Sequence, residues 1–159
     1  MKKKIKRAQN GHTLKEVEKF IAKKNAPDPE KDDHGKSQAR VQIDSIVEMV
    51  AALDLAGNND ESREAAETRI NEDPLSVEVR SDWYTLNKGA NTKPSEYNIL
   101  LCTGGPAFRI IGDLGKYGEP ETAVAQYQDW GTQWTEYRET TDEEDAALLR
   151  YAQCFYFGE

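Results

Sequence analysis

The chain has 159 residues, enough for one domain with a real core, but only 37% are apolar and 31% are charged, which predicts that part of it does not pack. Residues 1–40 hold twelve basic and six acidic residues, whereas residues 41–159 hold nine and twenty-three. A body this acidic is not expected to bind nucleic acid or anionic membranes directly, and it would attract basic surfaces. Solubility alone is the other explanation of such a charge.

The front of the chain, residues 1–36, is predicted to be a basic, partly flexible arm. Thr13 and Glu16 have the spacing of a capping box, so a short helix should follow. Pro27 and Pro29 should end that helix, because proline removes a backbone donor and restricts the residue before it. The polar residues after Pro29 then read as a linker to the acidic domain, residues 37–159.

The first part of that domain, residues 37–73, is predicted to be helical. Apolar residues recur every three or four positions between residues 37 and 55, and Gly57 is a natural end for this helix. Asp60 is expected to cap a second helix that continues to about Glu72, where Pro74 stops it.

The second part, residues 74–159, changes to the alternating period of strands. We expect a strand near Leu75 to Val79, a hairpin of residues 97–102 and 107–114, two strands over residues 121–129 and 132–137, a helix capped by Thr141 that ends near Ala152, and a final short strand at residues 155–157. The fold class is therefore α+β, with N-terminal helices followed by an antiparallel sheet on which a C-terminal helix packs.

Little in the sequence points to catalysis. No nucleophile–base pair, phosphate loop or metal-ligand cluster occurs, and His12 and His34 both fall in the arm. Gly104 and Gly105 are expected to form a hairpin turn that needs positive φ, although such a turn can also bind an anion. We expect no enzyme activity, no catalytic residue, no metal and no cofactor.

The sequence also bears on location. The basic start is not followed by the apolar core of a secretory signal, and no run approaches the roughly 20 apolar residues of a membrane helix. Cys102 and Cys154 each lie between apolar residues and read as reduced, buried thiols. These features predict a cytoplasmic protein that does not enter the membrane.

A binding surface is the most specific functional expectation. Tryptophans with a neighbouring tyrosine are common centres of protein interfaces, and acids along one edge could imitate the charge of DNA. The ordinary explanations are that the aromatic residues are core and that the acids favour a helix N-terminus. The candidate partner-binding residues are Trp130, Trp134, Glu136, Tyr137, Asp142, Glu143, Glu144 and Asp145.

Three short motifs carry a resemblance over residues 37–159. They are Leu-Cys-Thr-Gly-Gly-Pro-Ala from Leu101, Gln-Asp-Trp-Gly-Thr from Gln128 and Phe-Tyr-Phe-Gly-Glu from Phe155. In these motifs the chain resembles a family of small hypothetical proteins that phages and plasmids encode. No activity is assigned to that family, so the resemblance implies no residue roles. It implies a context in which small acidic proteins often inhibit bacterial defence, as anti-restriction and anti-CRISPR proteins do.

These observations favour a protein that binds and inhibits a host defence protein with a basic nucleic-acid-binding surface, in the cytoplasm of the host cell. The alternative is an accessory protein of phage or plasmid DNA metabolism, in which the basic residues between Lys2 and Arg7 contact nucleic acid. An enzyme with a ligand at the Gly104 turn is a third reading. The sequence leaves the oligomeric state open, a homodimer included.

Overall fold

A computed structural model describes residues 33–86 and 93–158. Three helices and five strands occur in these residues. In chain order they are α1 (His34–Ala56), α2 (Asp60–Glu72), β1 (Ser76–Ser81), β2 (Pro94–Cys102), β3 (Ala107–Asp113), β4 (Val124–Gln128), β5 (Thr135–Glu136) and α3 (Asp142–Ala152). The predicted arm helix, the basic residues between Lys2 and Arg7, and His12 lie outside the described residues.

The five strands form one antiparallel sheet in the order in which they occur in the chain. Each strand pairs with the next, with Val79 opposite Tyr97, Tyr97 opposite Gly112, and Ile110 opposite Ala125. Together with the helices before and after it, this sheet confirms the predicted α+β fold. The turn between β2 and β3 contains Gly104 at φ 125°, so the expectation of a glycine with positive φ is also confirmed.

The core lies between the helices and one face of the sheet. Side chains alternate along a strand, so Tyr97, Ile99 and Leu101 of β2 point together towards the helices. From α1, residues spaced by three or four positions complete the layer: Ala39, Ile43, Ile46, Met49, Val50 and Leu53. Burying each large apolar side chain contributes about 1.5–3 kcal/mol, and this layer therefore fixes how α1 lies on the sheet.

The opposite face of the sheet faces solvent, as is common in antiparallel sheets. It carries Arg80 and Glu78 from β1, Asn98 from β2, Arg109 from β3 and Gln126 from β4, all of them polar. We call it the open face. Leu100, Ile111, Val124 and Trp134 add partly buried apolar surface to it.

Four local expectations require correction. α1 begins at His34, because Asp33 caps it by accepting from the Lys36 backbone N–H at 2.9 Å, so the predicted boundary after residue 36 lies inside a helix. Asn59, not Asp60, caps α2 and accepts from the Ser62 N–H. The strand predicted over residues 132–137 shortens to the two residues of β5.

The fourth correction concerns the C-terminal residues, which form no strand. The N–H groups of Cys154 and Phe155 donate back to the last turn of α3, to the carbonyls of Tyr151 and Ala152. They therefore cannot join the sheet. Instead, Phe157 is buried and its ring lies 4.9 Å from the ring of Tyr97.

The described part of the chain was predicted to contain neither a membrane helix nor a metal site. None of its helices is long and apolar enough to cross a membrane. Within residues 33–86 and 93–158 no cluster of three or more histidine, cysteine or acidic side chains is arranged to hold a metal ion. Cys102 and Cys154 are free thiols, and burial raises the pKa of each.

Candidate functional site

The predicted acids gather at the start of α3. Thr141 and Glu144 form a capping box, in which the Thr141 hydroxyl accepts from the Glu144 N–H and the Glu144 carboxylate accepts from the Thr141 N–H. The helix therefore begins at a fixed residue, and its first turn presents four acids at the positive end of the helix dipole. We use the name acidic edge for Glu136, Asp142, Glu143, Glu144 and Asp145.

Members of the acidic edge differ in what they contact. Asp142, Glu143 and Asp145 are exposed and make no ion pair within the described residues. Glu144, in contrast, is half-buried and accepts from the Arg40 guanidinium of α1 at 2.5 Å. That hydrogen bond, followed by the one from Thr141, holds the pKa of Glu144 below its usual value. Glu144 therefore ties α3 to α1, and the other three acids remain available to a partner.

Basic residues neutralise part of the surroundings. Lys36 of α1 donates to Glu139 at 2.5 Å, and this contact is the largest cause of the raised pKa of Lys36. Arg138 lies 3.4 Å from Glu136, with both side chains exposed. Exposed pairs of this kind contribute little to stability and are screened by salt. The charge that reaches solvent from this edge is thus carried mainly by residues 142, 143 and 145.

A groove runs beside the acidic edge, between the start of β4 and the start of α3. Its volume is about 570 Å³, and Glu136, Tyr137, Asp145 and Leu149 are among the residues that line it. Glu121 and Arg138 also line it, so three carboxylates and one guanidinium group face the groove and acids predominate. This arrangement suits a lysine or arginine side chain of a partner, whose aliphatic stem can contact Leu149 while its charge meets the carboxylates.

Trp130 is exposed, as the candidate site requires. Its side chain retains 80% of its accessible surface and lies over the turn between β2 and β3. A Cβ added at Gly105 would fall 2.1 Å from the indole Cδ1, so only glycine lets the ring approach this closely. The backbone around Trp130 is fixed by Asp129, whose side chain accepts from the Trp130 N–H at 2.7 Å. Trp130 is thus a large apolar group in a defined position.

Trp134 lies on the open face. The Arg109 guanidinium lies 4.2 Å from the centre of its ring, and Arg109 Nε donates to Gln126 Oε1 at 2.9 Å. Burial, followed by the charge of Arg80, lowers the pKa of Arg109. The sequence prediction did not identify Arg109, although a charged residue inside the apolar run Ala-Phe-Arg-Ile-Ile is the signal that could have found it.

Tyr137 requires a correction, because it is not available as a surface anchor. Only 7% of its surface is exposed, and its ring meets that of Tyr127 edge to face, with centroids 6.2 Å apart. Its backbone N–H also donates to the Ala125 carbonyl, which continues the pairing of β4 and β5. Alternation after the short β5 turns Tyr137 inwards, where it joins the buried core.

No family model, curated protein or solved structure matches this chain. The structure brings Glu136 and Asp145 to one groove and leaves Asp142, Glu143 and Trp130 exposed, while Glu144 and Tyr137 serve the fold.

Proposed function

We propose that this protein is encoded by a phage or other mobile element and that it binds and inhibits a host defence protein that handles nucleic acid, of the type that anti-CRISPR and anti-restriction proteins target. The observation that supports this best is the set of three exposed acids at the start of α3 without a basic partner in the described residues, beside the groove that Glu136 and Asp145 line. Unpaired acids on a fixed helix present a stable negative field, which a basic nucleic-acid channel would meet.

The proposed mechanism is stoichiometric occupation, without catalysis. The negative field would steer the protein to the basic surface, and the groove would accept one lysine or arginine side chain there. Trp130 would then be covered by the partner and supply the apolar part of the contact, as exposed tryptophans commonly do in interfaces. Inhibition would follow because the nucleic acid could no longer enter. The proposed place of action is the cytoplasm of the host cell.

A charge-removal variant tests this proposal. We expect Asp142→Asn, Glu143→Gln and Asp145→Asn together to weaken binding about 100-fold, on the basis of roughly 1 kcal/mol for each lost contact. The matched control removes three exposed acids from the start of α2, in the variant Asp60→Asn, Glu61→Gln and Glu64→Gln. Both variants lose the same charge at a helix N-terminus, so an equal loss of binding would mean that net charge, and not this edge, is responsible.

A pull-down can identify the target. Host lysate is treated with nuclease and passed over the tagged chain at about 50 and at about 150 mM salt, and the retained host proteins are identified. A nuclease-resistant partner that is released at the higher salt and has a basic nucleic-acid channel is expected. Phage plating on cells that carry this partner as an active defence should then recover when the chain is expressed. Partner retention that is independent of salt would contradict the proposal. Retention that disappears with nuclease would favour the accessory role in DNA metabolism.

Trp130→Ala separates the apolar contact from the charge. We expect a loss of affinity of about tenfold or more with unchanged salt dependence, because the variant keeps every charge. Tyr156→Ala is a suitable control, since this tyrosine is also 83% exposed but lies at the C-terminus of the described chain.

A further inference from the structure

Among the residues that the structure describes, β1 is an uncovered edge of the sheet. It pairs with β2 on one side only, and its residues from Val77 to Ser81 are all exposed. Val77 and Val79 lie opposite Ile99 and Tyr97 and so point to the helix side of the sheet, but within the described part of the chain they retain 41% and 46% of their surface. The strand contains no proline and no lysine; its edge protections are the charged Glu78 and Arg80 and the register shift between Arg80 and Ser81.

The free backbone groups of β1 can be assigned from its neighbours. The Leu114 N–H donates to the Ser95 carbonyl, which directs the backbone groups of Ser95, Tyr97 and Ile99 towards β3. The intervening residues of β2 then bond to β1, in agreement with the hydrogen bond from the Leu75 N–H to the Leu100 carbonyl. Their partners Ser76, Glu78 and Arg80 face β2. Consequently Val77, Val79 and Ser81 present their N–H and C=O groups to solvent.

The side chains of β1 are complementary to a second copy of the same strand. In an antiparallel pair centred on Val79, Glu78 of each copy lies opposite Arg80 of the other, and this happens twice. Centring the pair on Glu78 would place two carboxylates opposite each other, and centring it on Arg80 would place two guanidinium groups there. The opposed charges therefore favour the register centred on Val79 over these two.

We propose that two copies of this protein pair through β1, antiparallel and centred on Val79, to form a continuous ten-stranded sheet. On the helix side, the pairing covers the exposed Val77 and Val79 of both copies. On the open face it extends a ladder that exists within each copy, in which Asn98 donates to Glu78 at 3.0 Å and Arg80 pairs with Glu96. Glu78 and Arg80 of opposite copies would join the two ladders.

This pairing is independent of the proposed inhibitory role, because β1 and β5 are opposite edges of the sheet. The acidic edge follows β5 in the chain, so dimerisation leaves both copies of it accessible. A single pair of short strands buries less than the roughly 1,200 Å² of a standard interface, so we expect a dissociation constant in the micromolar range.

Sedimentation equilibrium of the full chain over a concentration series tests the dimer. We expect Arg80→Glu alone and Glu78→Arg alone each to raise the dissociation constant at least about tenfold, because each places like charges opposite each other twice. The double variant restores both attractions and should return to the wild-type value. An equimolar mixture of the two single variants should form a heterodimer, since Glu78 then meets Arg80 and the new glutamate meets the new arginine.

Arg138→Glu is the matched control, because it reverses an exposed arginine beside β5 and should leave the dimer unchanged. Circular dichroism of each single variant should match that of the wild type, which excludes unfolding as the cause. Amide exchange at Val77, Val79 and Ser81 should slow as the protein concentration rises. A wild-type chain that stays monomeric at all concentrations, or a dimer that ignores both single reversals, would overturn the proposal.

Discussion

α2 and α3 begin with the same kind of sequence but differ in how many of their side chains are buried. Both have acids in the first turn and a capping side chain, Asn59 for α2 and Thr141 for α3. However, α3 buries Leu148, Tyr151 and Ala152, whereas α2 buries Ile70 alone. The same sequence signal therefore produces one helix that is fixed in the core and another that rests on a single fully buried side chain.

This difference in burial determines which acids are held in fixed positions and can therefore contact a partner in a defined geometry. At the start of α3, the Arg40–Glu144 contact connects the helix to α1, so the neighbouring acids keep their positions. α2 has an exposed pair within itself, Arg63 with Glu67, which holds it to nothing else. Fixed charges bind a partner without first losing side-chain and backbone freedom, and α3 is therefore the better candidate surface.

The largest expected loss of stability comes from removing a side chain with which α3 contacts the core. Leu148 is 1% exposed, and Leu148→Ala should lower the free energy of unfolding by about 3 kcal/mol through lost burial and the cavity left behind. Leu55→Ala is the control, because Leu55 is 87% exposed and its removal should change little. Urea denaturation measures both. A loss for Leu148→Ala below about 1 kcal/mol would mean that α3 is not part of the cooperative core.

The next effect concerns a hydrogen bond that joins the ends of α2 and α3. The Tyr151 hydroxyl donates to the Asp73 carboxylate at 2.7 Å, beyond the last turn of α2. Tyr151→Phe should lower the free energy of unfolding by about 1.5–3 kcal/mol, as expected for a bond to a charged group. The backbone amides near the end of α2 should also exchange faster. If these amides are unaffected, Asp73 does not couple the helices.

The same residue gives a dependence on alkaline pH. Burial, followed by the hydrogen bond to Asp73, raises the pKa of Tyr151 in the folded chain. The stabilisation is therefore complete below the unfolded tyrosine pKa of about 10 and is lost as pH rises above it. Tyr151→Phe should lose stability less steeply in that range. Burial also raises the pKa of Tyr97, so part of the slope should remain in the variant.

A smaller effect should follow from Glu144→Gln, which removes the charge that pairs with Arg40. We expect a loss of about 1 kcal/mol in the free energy of unfolding, because the pair is only partly shielded from water. Since Arg40 lowers the pKa of Glu144, this stability is present above the unfolded pKa of about 4.3 and disappears as pH falls through the folded value. The wild type should thus weaken more in acid than the variant. Glu143→Gln, with no ion pair among the described residues, should lower the free energy of unfolding by less, because it loses only the interaction with the helix dipole.

Local signals predicted much of this fold, because they act over a few residues. The capping box at Thr141, the end of α1 at Gly57 and the glycine turn after Cys102 each depend on neighbours in sequence. The inward position of Tyr137 could not be predicted in this way, since it depends on how far β5 pairs with β4. The same holds for Arg109, whose position under Trp134 requires the register of β3, β4 and β5.

The smallest expected losses of stability come from removing the capping side chains of α2 and α3, which allows the two caps to be compared directly. Thr141→Ala and Asn59→Ala each remove one hydrogen bond to a first-turn N–H, that of Glu144 or of Ser62, and each change costs its helix about 1 kcal/mol. Because α3 unfolds only with the core, we expect Thr141→Ala to lower the global free energy of unfolding by nearly that amount. The first turn of α2 is far from the buried Ile70 and from the Asp73–Tyr151 hydrogen bond at its other end, so it can fray by itself. Asn59→Ala should therefore speed exchange of the Ser62 amide while the global value falls by less than about 0.5 kcal/mol. Equal global losses would instead show that α2 is as firmly coupled as α3, and the acids at its start would then be as well placed to bind a partner.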